Sequence, residues 1–366
     1  MGKMQNNVET TTLFQLLRIA IGAEQVDGTF NTEGVSWQEV YVLARKQGVL
    51  AIAFDGLTKL FEADKAFAKA FPQPLKLQWI NATFHIENRY DHAKTVCSEL
   101  VDKWAEQGIN TLCLKGMAFS TYYPVPNHRE CGDFDCYLYD DYDKGNDIAR
   151  ALGANVDDEW YKHSEIIYRK QMIENHRFIV AVRNGKKTKL LHNCLDDIAR
   201  NEDRKAIFDT KIEMPSPMFN AIFLNHHSLT HFLYEGIRLR HLLDWALFLE
   251  AEQNNIDWER FYAACEEFEM REFVDCMTAL AVEVCGIKLQ NDKITTSSTF
   301  AERVLDSILN EDNSVFSQKV SAWRRRVMLI QNLIASRWKY KSFSSQGIVA
   351  KFISLAWGYL THPEED

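Results

Sequence analysis

The hydrophobic pattern of the chain changes at Gly108, and this change limits the folds that the chain can adopt. Up to that point, from Thr10 onward, apolar residues recur at intervals of three and four, the period of amphipathic helices. Beyond it, INTLCLKG is a short apolar run that ends in glycine, and CGDFDCYLY alternates as a half-buried strand does. The pattern predicts a helical lead-in followed by a sheet.

Further segments after these strands complete a small α/β unit. YDKGNDIARALGA predicts an amphipathic helix closed by Gly153, and SEIIYRK and MIENHRFIV predict two more strands. The connection at Lys170 to Met172 lacks the Asn-Gly or Asp-Gly that usually marks a tight hairpin. The order of strands and helices nevertheless indicates one α/β unit.

From Pro217 onward the period is helical again. We therefore expect an α+β fold in which helical parts flank a small mixed-sheet core, with a ligand-binding cleft between the core and the last part. The expected domains are a helical N-terminal region, the α/β core and a helical C-terminal domain, at residues 1–108, 109–212 and 213–366.

Composition excludes several classes of protein. A hydrophobic fraction of 46% rules out a disordered chain, and a net charge of −9 argues against broad, nonspecific binding to nucleic acid. Met1 to Thr12 lacks the apolar centre of a secretory signal, and the chain has no apolar run of about 18 residues that would span a bilayer. The eight cysteines form no CxxC pair. We expect a cytoplasmic protein with no membrane partner.

A pair of aspartates gives the first indication of chemistry. Asp133 and Asp135 are one residue apart on a predicted strand, so their carboxylates project from the same face. Two adjacent anions are costly unless a divalent cation neutralises them, and hard oxygen ligands suit Mg²⁺ or Mn²⁺. Gly116 opens a predicted helix after a strand, where a phosphate can approach, and Glu174 adds a carboxylate on a later strand. Two-metal phosphoryl or nucleotidyl transfer requires such a set.

Three runs also carry a family resemblance. LCLKGMAFSTYYPVPNHRECGDFDCYLY resembles the family of largely uncharacterised bacterial nucleotidyltransferases within the polymerase β-like superfamily. KHSEIIYRK with IENHR looks like that family's segment with the third carboxylate, and LNHHSLTHFLYEGIRLRHLLDWALFL looks like its helical-domain signature. The resemblance covers residues 111–250. It implies transfer of a nucleoside monophosphate from a nucleoside triphosphate to an acceptor, with release of pyrophosphate.

The resemblance also implies roles for individual residues. Three carboxylates would hold the metal ions, namely Asp133, Asp135 and Glu174. Gly116 would begin the helix that cradles the phosphates, and Lys115 and Arg129 would be candidates for phosphate contact. Arg129 equally suits an ion pair with one of the aspartates, which would offset their charge without metal.

Other polar residues are candidates for supporting the cleft. His176 follows the third carboxylate on the same face, where structural support is the favoured role. His227 and His231 are four apart on a predicted helix, a spacing that suits either polar residues facing the cleft or a zinc site. Arg240 and Asp244, also four apart, suit an ion pair on one helix face or a role in positioning the nucleotide or acceptor.

The pattern departs from the superfamily at the phosphate cradle, where Met117 follows Gly116 instead of the usual serine. Two alternatives therefore stay open. One is a catalytically weak or inactive module that binds nucleotide or a protein partner. The other is a toxin-like transferase that modifies tRNA or protein, which the cations and aromatics from Arg324 to Tyr340 would favour. The acceptor, whether small molecule, protein or RNA, is not specified by the sequence.

Overall fold

Helices occupy both ends of the described chain, and a mixed sheet lies between them. The computed structural model describes residues 7–26, 30, 33–182, 185–296, 299–310 and 337–344. The first five helices precede the sheet: α1 Val8–Ile21, α2 Trp37–Lys46, α3 Leu50–Ala63, α4 Lys65–Ala70 and α5 Gln73–Glu106. The predicted helical lead-in is confirmed, and its last helix is the longest because the apolar period runs through it without a break.

Within the described residues, seven strands form a single sheet, in the order β3-β4-β5-β2-β1-β7-β6. They are β1 Thr111–Cys113, β2 Phe134–Tyr137, β3 Asn155–Asp157, β4 His163–Tyr168, β5 Gln171–His176, β6 Lys205–Ala206 and β7 Ile212–Met214. The pairs β2–β5 and β1–β7 are parallel and the other neighbours are antiparallel, so the sheet is mixed. Three α-helices of the described chain lie between strands: α6 Met117–Ser120, α7 Tyr142–Ala151 and α8 Lys186–Asn201.

Helices follow the sheet again. They are α9 Pro217–Tyr234, α10 Leu239–Glu252, α11 Trp258–Glu267, α12 Arg271–Cys285, α13 Ala301–Asn310 and α14 Arg337–Phe343. Local signals set their ends: the Ser216 hydroxyl accepts the Phe219 N–H at the start of α9, and Gly286 ends α12 in the left-handed region. The expected α+β class is confirmed, while the division into three domains remains a prediction. Among the described helices, none combines the length and apolarity needed to cross a bilayer.

The connection between β4 and β5 is a tight hairpin. Tyr168 pairs with Gln171, and the two residues between them, Arg169 and Lys170, have φ of 47° and 69°. Two successive left-handed residues are typical of the type I′ turn, which matches the twist of the flanking strands. Both predicted strands are confirmed, although the turn contains neither the Asn-Gly nor the Asp-Gly dipeptide that usually marks a tight hairpin.

The two faces of the sheet pack against different cores. On β2, Phe134 and Cys136 belong to a core formed with the second half of α5, whereas Tyr137 belongs to a larger core formed with helices from both ends of the chain. Since side chains alternate along a strand, Asp135 must share the face of Tyr137. The sheet therefore presents its acidic residues toward the larger core and its helices.

The N-terminal and C-terminal helices share that larger core. The Gln47 side chain, at the end of α2, donates to the Ile308 carbonyl at 2.9 Å and accepts the Leu239 N–H at 2.9 Å. Arg18 Nε on α1 donates to the Val284 carbonyl on α12 at 3.0 Å. Buried polar groups that are paired in this way fix how the helices align, so the two ends of the described chain support one another.

Candidate active site

The three predicted carboxylates lie together on one face of the sheet. Asp133 directly precedes β2, Asp135 lies on β2, and Glu174 on β5 is the register partner of Asp135 in the parallel pair. One oxygen from each carboxylate lies within 4.8 Å of the others. Residues 41 positions apart in sequence are thus brought within the span of a single coordination sphere.

Asp135 is the most enclosed of the three, with 1% of its side chain exposed. Its Oδ1 lies 2.9 Å from Lys115 Nζ and 3.1 Å from His176 Nε2, while Oδ2 is buried with no hydrogen-bond partner among the described residues. Burial alone would raise the pKa of Asp135, but the charges of Lys115 and His176 outweigh it and hold that pKa well below its usual range. Asp135 is therefore an anion with one oxygen unused.

The pKa values of Asp133 and Lys115 are both raised, for different reasons. Burial, followed by the nearby charge of Asp135, raises the pKa of Asp133 above its usual value. Burial would lower the pKa of Lys115, but Asp135 and Asp133 outweigh it and raise that pKa to about 12. Lys115 therefore stays charged at neutral pH, and its Nζ lies 4.0 Å from Asp133. One lysine is therefore shared between two carboxylates.

Two histidines complete this face. His176 Nε2 lies 3.1 Å from Asp135 and 3.3 Å from Glu174, and its Nδ1 lies 3.4 Å from the Phe178 carbonyl. His163 on β4 is the register partner of His176, and its Nε2 lies 3.9 Å from Glu174. Burial lowers the pKa of His163 to about 4, so this ring is neutral. Sequence reasoning identified His176 but missed His163, whose signal was the alternation along KHSEIIYRK.

Gly116 adopts a conformation that favours glycine. Its φ is 60° and its ψ is −103°, and the one-turn helix α6 begins at the next residue, Met117. A Cβ at Gly116 would lie 3.6 Å from the Asp133 carbonyl. The predicted strand, glycine and helix start therefore occur in the expected order, directly beside the carboxylates.

Arg129 pairs with Asp244 on α10 rather than with the site carboxylates. Its Nε and Nη2 donate to the two Asp244 oxygens at 2.8 and 2.7 Å, and Tyr123 adds a hydroxyl donor at 2.8 Å. Arg240 Nη1 donates to the Glu130 carbonyl at 2.7 Å. The expected ion pair between Arg240 and Asp244 is therefore wrong, because the guanidinium of Arg129 donates hydrogen bonds to both carboxylate oxygens of Asp244. The contacts fasten the segment before Asp133 to α10.

A cavity of about 580 Å³ lies between the carboxylate face and α9. His227 and His231 line it, with ring centroids 4.4 Å apart, and His231 Nδ1 donates to Glu235 at 3.1 Å. Burial lowers the pKa of His227 well below its usual range. The two candidate metal-binding groups within the described ranges contain neither histidine, so the cleft-facing interpretation is the one that the contacts favour.

Lys162 is a second cation on the same cavity that sequence reasoning did not identify. It precedes β4, and burial followed by the charge of Lys115 lowers its pKa. Among the described residues, Lys115 and Lys162 therefore both line the cavity near the three carboxylates.

The basic and aromatic concentration near the C-terminus is described only in part. Arg324 to Arg326 lie outside the described residues. Farther along, Lys339 Nζ on α14 donates to the Phe232 carbonyl at 2.9 Å, and the Tyr340 hydroxyl donates to the Leu233 carbonyl at 2.7 Å. Lys339 is 1% exposed and Tyr340 is 4% exposed. These two residues pack α14 onto α9 and do not face solvent as a nucleic-acid-binding surface would.

The chain matches a known protein family over most of its length. The model of a family described as uncharacterised nucleotidyltransferase matches residues 33–286, which include both aspartates, Glu174 and the cavity wall formed by α9. No curated protein and no solved structure matches the chain. The family match covers well over half of the 366 residues. The chain therefore belongs to the uncharacterised nucleotidyltransferase family.

Proposed function

We propose that this protein is a metal-dependent nucleotidyltransferase that moves a nucleoside monophosphate from a nucleoside triphosphate to an acceptor and releases pyrophosphate. The observation that carries the proposal is the convergence of Asp133, Asp135 and Glu174, whose oxygens lie within 4.8 Å of one another beside a cavity. A volume of about 580 Å³ is within the usual range for small-molecule and cofactor pockets. The family membership supports the same reaction class.

The residues suit a divalent cation with hard oxygen ligands. The Asp135 oxygen Oδ2 is buried without a hydrogen-bond partner among the described residues, a costly arrangement that a bound cation would relieve. Asp133, Asp135 and Glu174 would hold Mg²⁺ or Mn²⁺. When bound, such an ion polarises phosphoryl oxygens and stabilises the charge that develops during an in-line displacement.

The remaining groups have roles in binding and positioning. Lys115 keeps its charge at neutral pH and lies between the carboxylates and Gly116, where it would contact a triphosphate. The backbone at Gly116 has no Cβ to obstruct a close approach. Arg129 supports the site indirectly, since its pair with Asp244 holds the segment that ends at Asp133. The acceptor would offer a hydroxyl or phosphate oxygen to the α-phosphorus.

Two observations favour a second candidate, a module that binds nucleotide or a protein partner without transfer. Lys115 Nζ already lies 2.9 Å from Asp135 and neutralises part of its charge, and Met117 occupies the position at which the superfamily often has serine. Such a scaffold would bind without turnover. The toxin-like alternative gains no support from the described part of the basic segment, because Lys339 and Tyr340 are buried.

Thermal unfolding with ligands tests the proposal. The melting temperature is measured for the wild type, an Asp133→Asn, Asp135→Asn double variant and a control variant, Asp143→Asn, whose side chain is 86% exposed. Each protein is melted with each nucleoside triphosphate in Mg²⁺, in Mn²⁺ and in chelator. A ligand at a hundred times its Kd stabilises the native state by about 2.7 kcal/mol.

The proposal expects stabilisation that needs both metal and nucleotide, in the wild type and the control but not in the double variant. The same nucleotide is then incubated with trial acceptors, and released pyrophosphate is measured. Metal-dependent binding with no pyrophosphate for any acceptor would favour the binding module. Equal stabilisation of the wild type and the double variant would overturn the carboxylate site.

A further inference from the structure

One imidazole in the site faces oxygen atoms at both of its ring nitrogens. His176 Nδ1 lies 3.4 Å from the Phe178 carbonyl, while Nε2 lies 3.1 Å from Asp135 and 3.3 Å from Glu174. A neutral imidazole has one N–H donor and one lone pair. With Nδ1–H donating to the carbonyl, the Nε2 lone pair would point at two carboxylates. A metal ion bound at Nε2 would use that lone pair, whereas in the other tautomer Nε2–H donates to a carboxylate.

A second imidazole lies close to the same carboxylate. His163 and His176 are register partners on adjacent strands, with ring centroids 5.3 Å apart. His163 Nε2 lies 3.9 Å from Glu174 Oε1, and its Nδ1 has no hydrogen-bond partner within the described part of the chain. This ring is therefore not committed to another contact and its nitrogens are available as ligands.

We propose that His163, His176 and Glu174 form a site for a borderline transition metal, best suited to Zn²⁺. One ligand atom from each residue lies within 4.8 Å of the others. Zinc takes nitrogen ligands at about 2.0–2.1 Å in tetrahedral geometry, which places neighbouring ligand atoms about 3.4 Å apart. His176 Nε2 already lies 3.3 Å from Glu174 Oε2, and His163 Nε2 lies 3.9 Å from the other oxygen, Oε1, so binding one ion would need a small movement of these side chains.

The surroundings of His176 match those of a metal-ligating histidine. Such histidines usually donate the other ring N–H to a backbone carbonyl or carboxylate, which fixes the tautomer and the ring orientation. The Phe178 carbonyl supplies this contact to Nδ1. Two imidazoles and one carboxylate favour zinc over magnesium, which prefers oxygen ligands alone. The open fourth position would be taken by water or by a ligand oxygen.

Glu174 belongs both to the proposed zinc group and to the group of three carboxylates. The consequence for catalysis rests on the proposed function. A zinc ion held by the two histidines would draw Glu174 away from Asp133 and Asp135 and leave the transfer site with two carboxylates. Zinc would then act as an inhibitor of a magnesium-dependent reaction. The selection between the two cations would depend on the nitrogen ligands from His163 and His176.

The test measures zinc binding to the metal-free, full-length protein by competition with a chromophoric chelator. The wild type is expected to bind one Zn²⁺ per chain, and His163→Gln is expected to weaken that binding at least about tenfold. Two control variants are expected to bind zinc as the wild type does. His226→Gln removes another histidine that lines the cavity, and Asp133→Asn removes a carboxylate outside the proposed zinc group.

Equal zinc affinity in the wild type and His163→Gln would overturn the proposal. So would a loss in Asp133→Asn as large as that in His163→Gln, because the ion would then be held by the carboxylates. A measurement on the wild type alone avoids any effect of substitution on folding: imidazole ¹⁵N NMR should show two histidine nitrogens shifting together as zinc is added. No such shift would also overturn it. Failure of the proposed function is seen separately, as absent stabilisation by magnesium and nucleotide.

Discussion

The buried pair of Arg129 and Asp244 should be among the costliest interactions in the protein to break. Their side chains are 7% and 3% exposed, and Asp244 accepts three hydrogen bonds, two from Arg129 and one from Tyr123. Asp244→Leu would leave a guanidinium buried without a counter-ion, at a cost of about 3–5 kcal/mol. The Tyr123 hydroxyl would also lose its acceptor, which adds about 1–3 kcal/mol. The total free energy of unfolding of a typical protein is only about 5–15 kcal/mol.

A double-mutant cycle separates the pair from its surroundings. Arg129→Met alone should also cost about 3–5 kcal/mol, because Asp244 then loses its counter-ion. In the double variant no unpaired charge remains, so the cost should fall close to that of the unpaired Tyr123 hydroxyl. The summed costs of the two single substitutions should therefore exceed the cost of the double variant by about 6 kcal/mol or more. Urea unfolding measures each free energy, with an unchanged slope showing that the unfolded state is comparable.

An exposed ion pair in the same protein provides the control. Arg200 and Asp140 are also in contact, at 2.9 Å, but their side chains are 36% and 85% exposed. Asp140→Asn should cost less than about 1 kcal/mol, since water screens the pair. Additive costs for Arg129→Met and Asp244→Leu would refute the reasoning. So would a cost for Asp244→Leu no larger than that for Asp140→Asn.

Two further predictions concern charge and pH. Burial lowers the pKa of His128, but hydrogen bonds to Asp55 and Glu87 at 2.8 and 2.9 Å outweigh it and raise that pKa above its usual value. The stabilisation that protonated His128 supplies is therefore complete below about pH 6.5 and is lost as pH rises through its folded-state pKa. His128→Gln should thus destabilise the protein most in mild acid. A difference in unfolding free energy between the two proteins that does not change with pH would contradict this. Asp133→Asn should stabilise the metal-free protein, because the raised pKa of Asp133 means that its charge is disfavoured in the folded state. The gain should be less than about 1 kcal/mol, since 37% of the side chain is exposed to water. A lower melting temperature of the variant than of the wild type in chelator would contradict this prediction.

The sequence was sufficient to predict the face of the sheet on which the three carboxylates lie. Period-two alternation along CGDFDCYLY placed Asp133 and Asp135 on one face, and the later strand supplied Glu174. The local strand-glycine-helix order at Gly116 was also predicted, because each of its signals is contained within a few residues. What alternation cannot give is which strands become neighbours, and the parallel pairing of β2 with β5 was visible only in the fold.

The features that were missed or wrong depend on distant contacts or weak local signals. Asp244 and Arg129 are 115 positions apart, and only packing shows that Arg129 is its partner and that Arg240 is not. His163 faces His176 because of a hairpin turn that uses two residues other than glycine in the left-handed region. Several strands were also missed, since β3, β6 and β7 have only two or three residues and show no period.

The shared core of the two chain ends bears on how the protein can be shortened. The family match begins at residue 33, beyond α1, yet Leu13 and Leu16 of that helix are 0% exposed and pack in the core against α3 and α12. Each buried leucine contributes about 1.5–3 kcal/mol. A recombinant fragment of residues 33–286 would expose the apolar groove that α1 fills and would tend to aggregate. The smallest soluble unit is therefore longer than the segment by which the family is recognised.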